Sequence, residues 1–363
     1  MLKFFLAFTT SSAVAHQLMN YEKKNNQSNK SKKHVVLLGD GFVSRGFLDT
    51  IDKSRFTITQ VYKDKFINPQ DMIYQLNKNK WNANPLHIRD IFRKKPDNII
   101  QTEITNMRYF NNTIIINENQ TDINYEINLK FDHLVIGLGS QKTLKDWQDT
   151  IKQLININSK NIGIIGMGLT GIELATILSK NNNITLIDTL KKENTLNYLS
   201  NVNREMLFSI MDNKNIKTIF NEFYNSNNYN FDKTVMCVGN RVNSLVSGVK
   251  IDNRFRDCLN TDVYLGGDCT SINLPKTAQL AYAQGIYIAK QINGSEQRPF
   301  KFIDFLSDNN NDYEKLDNNF YTYKSNGMSI NIGDNQNLIC GHSYLPDGKY
   351  PCEILKLYSM FIV

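Results

Sequence analysis

The stretch "NIGIIGMGLTGIELATILSK" (161–180) limits the fold of this chain more than any other. An unbroken apolar run ends in a glycine turn, and an apolar helical pattern follows at once. A run without polar alternation suits a strand covered on both faces, the habit of parallel sheets. Gly166, Gly168 and Gly171 stand in the spacing G-x-G-x-x-G between the two elements. The same order opens "HVVLLGDGFVSRGF" (34–47), where Gly39 and Gly41 are followed by Ser44 in the third place. Two strand–turn–helix units about 125 residues apart predict an α/β protein with two parallel sheets.

The glycines of such a turn divide the work of holding a dinucleotide. One makes the tight turn, one lets the backbone approach a pyrophosphate, and one allows helix and strand to pack closely. The helix start adds unpaired N–H groups and a partial positive charge. An acid about 20 residues further on suits the adenosine ribose. Asp188 stands 22 residues after Gly166, at the end of "ITLID" (184–188). Its charge would repel a 2′-phosphate, which favours NADH, while Lys191 and Lys192 keep NADPH open. A plain tight turn is the competing reading.

The first unit departs from the pattern. Ser44 is small enough to stand for the third glycine. Asp40 occupies an x position, where a side chain can point to solvent; facing the phosphates instead, it would cost binding energy. The strand "FTITQVY" (56–62) ends without an acid, and Asp64 just beyond it is a weak ribose candidate.

Strands and helices alternate through the rest. Residues 70–95 mix helix and loop, and "NTIIINEN" with "INYEINL" reads as an antiparallel pair. "FDHLVIGLGS" (131–140), "TVMCVGN" (234–240) and "DVYLGGD" (262–268) are further strands running into glycine, the first presenting Gly139 and the last Gly267 and Asp268. Asp268 can accept hydrogen bonds from a sugar-alcohol chain such as a flavin ribityl, or it can cap the following helix. That helix is "TAQLAYAQGIYIAKQI". After Arg298 the chain turns Asn-rich, then "FYTYKSNGMSINIG" suggests strands.

The net charge of +7 comes from Lys spread along the whole chain, with no basic cluster interleaved with aromatics, so nucleic-acid binding is not expected. Five cysteines, all from Cys237 onward, contain no C-x-x-C, which argues against a metal site or a redox dithiol. "MLKFFLAFTTSSAVAHQ" has the makings of a signal or presequence, and residues 20–33 read as a linker. No apolar run is long enough to span a membrane.

In their order these motifs resemble the two-dinucleotide-binding flavoproteins, and within them the type II NADH dehydrogenases. "VVLLGDGFVSRGFLDTID", "FDHLVIGLGS", "IGIIGMGLTGIELA", "VYLGGDCT" with "LPKTAQLAYAQGIYIAK", and "YTYKSNGMSINIG" carry the resemblance, over roughly residues 34 to 345. It implies two Rossmann-like domains, with the NADH domain (141–249) inserted in an FAD domain (34–140 and 250–300). A leader (1–33) precedes them and a C-terminal region (301–363) for interface or membrane contact follows. It implies FAD held by Gly39, Gly41, Ser44, Gly139, Gly267 and Asp268, and NADH held by Gly166, Gly168, Gly171 and Asp188. Glu173 matches an acid linked to proton handling, with a helix-dipole role as its plain alternative. Gln279 matches a residue beside the flavin that shapes a quinone site.

The implied activity is hydride transfer from NADH to FAD, then electron transfer to a membrane-dissolved quinone. Peripheral membrane contact and a homodimer are compatible with it, and a mitochondrial or other membrane-associated location is favoured over a secretory one. Ala283 stands where the family usually has a second glutamine, before Gln284, and the tail "YPCEILKLYSMFIV" is short. Both features favour one competing reading, an apoptosis-inducing-factor-like flavoprotein with another acceptor; Ser44, Asp40 and Ala283 support another, an inactive nucleotide-binding scaffold. A disulfide reductase is disfavoured, because the first unit contains no cysteine pair.

Overall fold

The computed structural model describes residues 32–63, 76, 94–120, 123–140, 144–197, 199–238, 243–272, 276–303, 320–324, 328–334, 336–340 and 348–351. The expected leader, almost all of the 70–95 segment, Asp64 and the end of the C-terminal tail lie outside them.

Strand β1 (Lys33–Leu38) runs into helix α1 (Phe42–Thr50), and β2 (Phe56–Tyr62) and β3 (Asn98–Gln101) follow on one side of β1. The strands β4 (Asn106–Phe110), β5 (Thr113–Gln120) and β6 (Ile123–Lys130) form an antiparallel meander. The expected pair is thus β5 and β6, with β4 added at its edge. Strand β7 (His133–Ile136) then returns to the other side of β1.

A second sheet follows in sequence: α2 (Leu144–Leu154), β8 (Asn161–Ile165), α3 (Leu169–Leu178), β9 (Asn183–Ile187), α4 (Asn201–Asn213), β10 (Lys217–Ile219) and β11 (Lys233–Met236). Only after it does β12 (Val263–Leu265) join the first sheet beside β7, and α5 (Ala278–Ile292) lead on from it. The first sheet has the order β12-β7-β1-β2-β3 and the second β10-β9-β8-β11, parallel throughout. The chain therefore builds an α/β fold in which the second sheet interrupts the first.

Burial explains the unbroken apolar strands. Val35 and Leu37 face a core shared with Phe47 of α1 and Tyr287 and Ile288 of α5. Val36 and Leu38 face the opposite core, closed by Ile114, Ile116, Ile127 and Leu129 of the meander. Successive side chains alternate between faces, so a strand covered on both must be apolar at every position.

Helix α3 is mostly apolar and is buried from Gly171 to Leu178, and a helix of that kind needs cover on more than one side. The second sheet supplies one side. The C-terminal strands supply another: β15 (Met328–Asn331) and β16 (Gln336–Cys340) bring Ile330, Ile332 and Leu338 into the same core. A Cβ on Gly333, between them, would stand 2.5 Å from the Thr176 carbonyl oxygen, so hairpin and helix are in backbone contact. Lys214 of α4 pairs with Asp334 beside it. β16 continues to β17 (Gly348–Pro351), while β13 (Phe300–Ile303) and β14 (Tyr321–Lys324) form a separate parallel pair. Among the described residues no helix is long and apolar enough to cross a membrane.

Two histidines sit at the end of the first sheet away from the glycine turns. His34 Nδ1 lies 2.6 Å from the Lys130 carbonyl oxygen and Nε2 lies 2.8 Å from Thr59 Oγ1, an arrangement that suits a neutral ring. His133 packs edge-on against Phe56 and Tyr264, with Nδ1 3.3 Å from Asp262 Oδ1 but off line for a hydrogen bond. Burial lowers both imidazole pKa values, against weaker upward pulls from Lys130 and Asp132 on His34 and from Asp262 and Asp132 on His133. Lowered folded values mean that the unfolded chain binds these protons first as pH falls. Their contribution to stability is complete above the ordinary value of about 6.5 and is lost below it. The urea midpoint is expected to drop between pH 7.5 and 5.5, and to drop less in His133→Phe. An equal drop in both proteins would contradict this role.

Candidate functional site

The C-terminal ends of β1 and β8 are the points where strand order reverses, β2 and β7 flanking the first and β9 and β11 the second. Crevices open at such points in parallel sheets. Each strand turns there into a helix whose N-cap is a glycine, Gly41 for α1 and Gly168 for α3, with no side-chain cap. The first-turn N–H groups are therefore left for a ligand.

In the second turn Gly166 has φ +105°, and a Cβ on it would stand 2.8 Å from the Cys237 carbonyl oxygen. A Cβ on Gly171 would meet the Gly166 carbonyl oxygen at 2.0 Å, the closeness expected of the third glycine. A Cβ on Gly168 would have no protein atom within 4 Å, so the space before the helix is open to a phosphate. Asp188, one residue past β9, closes the turn. Its Oδ2 accepts from the Met167 N–H at 2.6 Å and its Oδ1 from the Leu190 N–H at 2.8 Å.

The first turn repeats this with different means. Gly39 has φ +98°, and a Cβ there would stand 2.4 Å from the Gly137 carbonyl oxygen of β7's exit. Ser44 is fully buried, and its hydroxyl donates to the Gly39 carbonyl oxygen at 2.8 Å. The hydroxyl thus ties the turn where glycine would only have fitted. Asp40 takes neither of the open directions, solvent or phosphates: it is 6% exposed, and Gln60 Nε2 donates to its Oδ1 at 3.1 Å. The x side chain points inward in both turns, since Met167 is also buried. A Cβ on Gly139 would lie in open space, as at Gly168.

β12 brings Gly267 and Asp268 to the same end of the first sheet. A Cβ on Gly267, at φ +75°, would stand 2.9 Å from Val43 Cγ2 in the first turn of α1. Gln284 Oε1 accepts from the Gly267 N–H at 2.6 Å and so fixes the turn from α5. Asp268 belongs to the short turn of helix Gly267–Cys269 and is not a helix cap. The cap of α5 is Thr277, whose Oγ1 accepts from the Leu280 N–H. Burial raises the Asp268 pKa, and the Lys276 ammonium opposes the rise. Lys276 itself, lowered by burial, donates to the Thr270 carbonyl oxygen at 2.8 Å. Cys269 is buried, which pushes its thiol up to about 11 and makes it a poor nucleophile.

Glu173 is buried in α3, one residue beyond the first turn, so the helix-dipole reading does not hold for it. Gln279 lies in the first turn of α5 and is exposed. Ala283 is buried in the same helix. Sequence reasoning missed Gln60 and the glycine pair Gly46 and Gly285. A Cβ on Gly46 would stand 2.1 Å from the Tyr282 carbonyl oxygen, and one on Gly285 2.1 Å from that of Val43. α1 and α5 thus cross in backbone contact directly behind the first turn. Among the described residues no cluster of side chains is fit to hold a metal ion.

Two open glycine turns stand at the reversal points of two parallel sheets, the geometry of a doubly wound α/β protein. Residues 33–285 match the sequence profile of the family described as pyridine nucleotide-disulphide oxidoreductase, and the chain belongs to that family. Membership implies binding of a flavin and a pyridine nucleotide. No curated protein matches the chain. Among solved structures it is similar to NDH2 from Plasmodium falciparum in complex with NADH, at 16% identity and a TM-score of 0.66, over 91% of this chain and 94% of that one. It is similar to reduced Bacillus anthracis CoADR-RHD at 16% identity and a TM-score of 0.60, over 76% of this chain and 59% of that one. The water-forming NADH oxidase of Lactobacillus brevis, bound to NADH, aligns at 18% identity and a TM-score of 0.57, over 72% and 69% of the two chains. At such identities the likeness establishes the fold.

Proposed function

We propose that this chain is an FAD-dependent oxidoreductase that takes a hydride from NADH and passes the electrons to a quinone. The observation that carries the reading is the return of β12 to the first sheet, with Gly267 packed on α1 and Asp268 beside the first cradle. A single nucleotide fold has no need of a second sheet inserted between β7 and β12. Residues 34–140 and 250–300 make up the flavin unit in this reading, and 141–249 the NADH unit.

Gly39, Gly41 and Ser44 shape the turn that takes the FAD pyrophosphate, Gly139 borders it, and Asp268 accepts hydrogen bonds from the ribityl hydroxyls. Gly166, Gly168 and Gly171 form the NADH turn, and Asp188 receives the adenosine ribose while its charge turns away a 2′-phosphate. When bound, the flavin supplies the two-electron carrier between the hydride donor and the acceptor. Glu173 holds or passes a proton, and Gln279 borders the acceptor. The quinone rests on the resemblance of the motifs to the type II NADH dehydrogenases, over roughly residues 34 to 345.

A different acceptor is the second reading, and α5 favours it. Ala283 is buried in place of the family's second glutamine, and Gln284 is engaged with the Gly267 N–H. Protein reduced anaerobically should be reoxidised by a soluble quinone far faster than by dioxygen, and reduced by NADH faster than by NADPH. Equal reoxidation by the two acceptors would sink the quinone, and equal reduction by the two donors the role of Asp188.

A further inference from the structure

The two cradles superpose residue by residue through one shared bond. The Gly39 N–H donates to the Val61 carbonyl oxygen at 2.8 Å, and the Gly166 N–H to that of Ile187 at 2.7 Å. Val61 therefore corresponds to Ile187, and Tyr62 to Asp188. The strand-end acid that holds the second turn is absent from the first. The first turn contains an acid of its own, Asp40, at the place of Met167. The first cradle thus carries its carboxylate within the turn, next to where a pyrophosphate would lie, and not at the strand end.

Gln60, 1% exposed and one residue before Val61, accounts for how such a turn remains usable. Its Nε2 donates to the Gly39 carbonyl oxygen at 2.8 Å and to Asp40 Oδ1 at 3.1 Å. Both partners are acceptors, so the amide has only one orientation that satisfies them. The corresponding residue of the second strand, Leu186, is apolar and makes no such bond. We infer that Gln60 is the positioning residue of the first cradle, pinning the Gly39 carbonyl and holding the inward-turned Asp40 carboxylate away from the path of the pyrophosphate. This rests on reading the first cradle as the FAD site.

The purified full-length holoprotein tests it by the FAD fluorescence released on dilution, in wild type, Gln60→Leu, Asp40→Asn and the double variant. Gln60→Leu removes the amide's hold on the carboxylate and should weaken FAD retention on the order of tenfold or more, the scale of a hydrogen bond to a charged group. Asp40→Asn alone should retain FAD better than wild type, and added to Gln60→Leu it should restore most of the loss. A double variant as weak as Gln60→Leu would overturn the inference, because the loss would then owe nothing to the Asp40 carboxylate. Wild-type retention in Gln60→Leu would overturn it too. If Gln60→Leu fails to fold, Asp40→Asn decides: unchanged retention counts against the inference. A wild-type protein that binds no FAD fails the flavin reading itself and takes the inference with it.

Discussion

Replacing Gly171 with valine is expected to cut the rate of reduction by NADH at least on the order of 100-fold, while the flavin stays bound. A Cβ at this position would stand 2.0 Å from the Gly166 carbonyl oxygen and 3.5 Å from Cys237 Cβ. The nearer atom is backbone, fixed by the Gly166 N–H bond to Ile187. Relief requires α3 to move off β8, which carries the helix N-terminus away from the phosphates. A 100-fold loss corresponds to about 2.7 kcal/mol, within reach of a close-packed clash. The first sheet keeps separate cores, sharing no buried residue with that of α3, so flavin content should hold. Serine at 171 should fail as well, although Ser44 is native in the matching place, because only the first turn has room for a side chain. Stopped-flow bleaching measures the effect, and a wild-type rate in Gly171→Val would refute it.

Gly285→Leu is expected to lower stability by about 3 kcal/mol or more and to strip the flavin. Its side chain would be driven into the Val43 carbonyl oxygen, 2.1 Å from the Cβ position, and Gly46 already brings α1 equally close to Tyr282. Neither helix can yield without disturbing two sites. α1 starts at the first cradle, and the residue before Gly285 is Gln284, which holds the Gly267 N–H. Overpacking of this kind typically costs 1–3 kcal/mol, and more where backbone is the obstacle. The melting temperature should fall by about 4 °C or more. A variant with native melting and native flavin content would show that the helix crossing does not support the cradle.

The parallel sheets and the glycine cradles are legible in the sequence because both depend on local signals, apolar runs and glycine spacing. Gln60 is not, although a trace exists: a glutamine inside the strand "FTITQVY", near an acid-bearing turn, needs a buried polar partner. The Gly46–Gly285 crossing depends on residues far apart in sequence and leaves no periodic sign. The docking of the C-terminal hairpin was readable only in outline, from the fact that "LTGIELATIL" is mostly apolar and one sheet can cover only one side. The direction of Asp40 is not legible either, because an x position in a glycine turn says nothing of which way its side chain points.

The measurement that bears most directly on the two-cradle reading is an anaerobic titration of the purified protein with NADH, followed by its visible spectrum. The expected result is a flavin spectrum that bleaches in proportion to the NADH added, as the second cradle delivers hydride to the cofactor of the first. A colourless protein, or a flavin spectrum that NADH leaves unchanged, would contradict it.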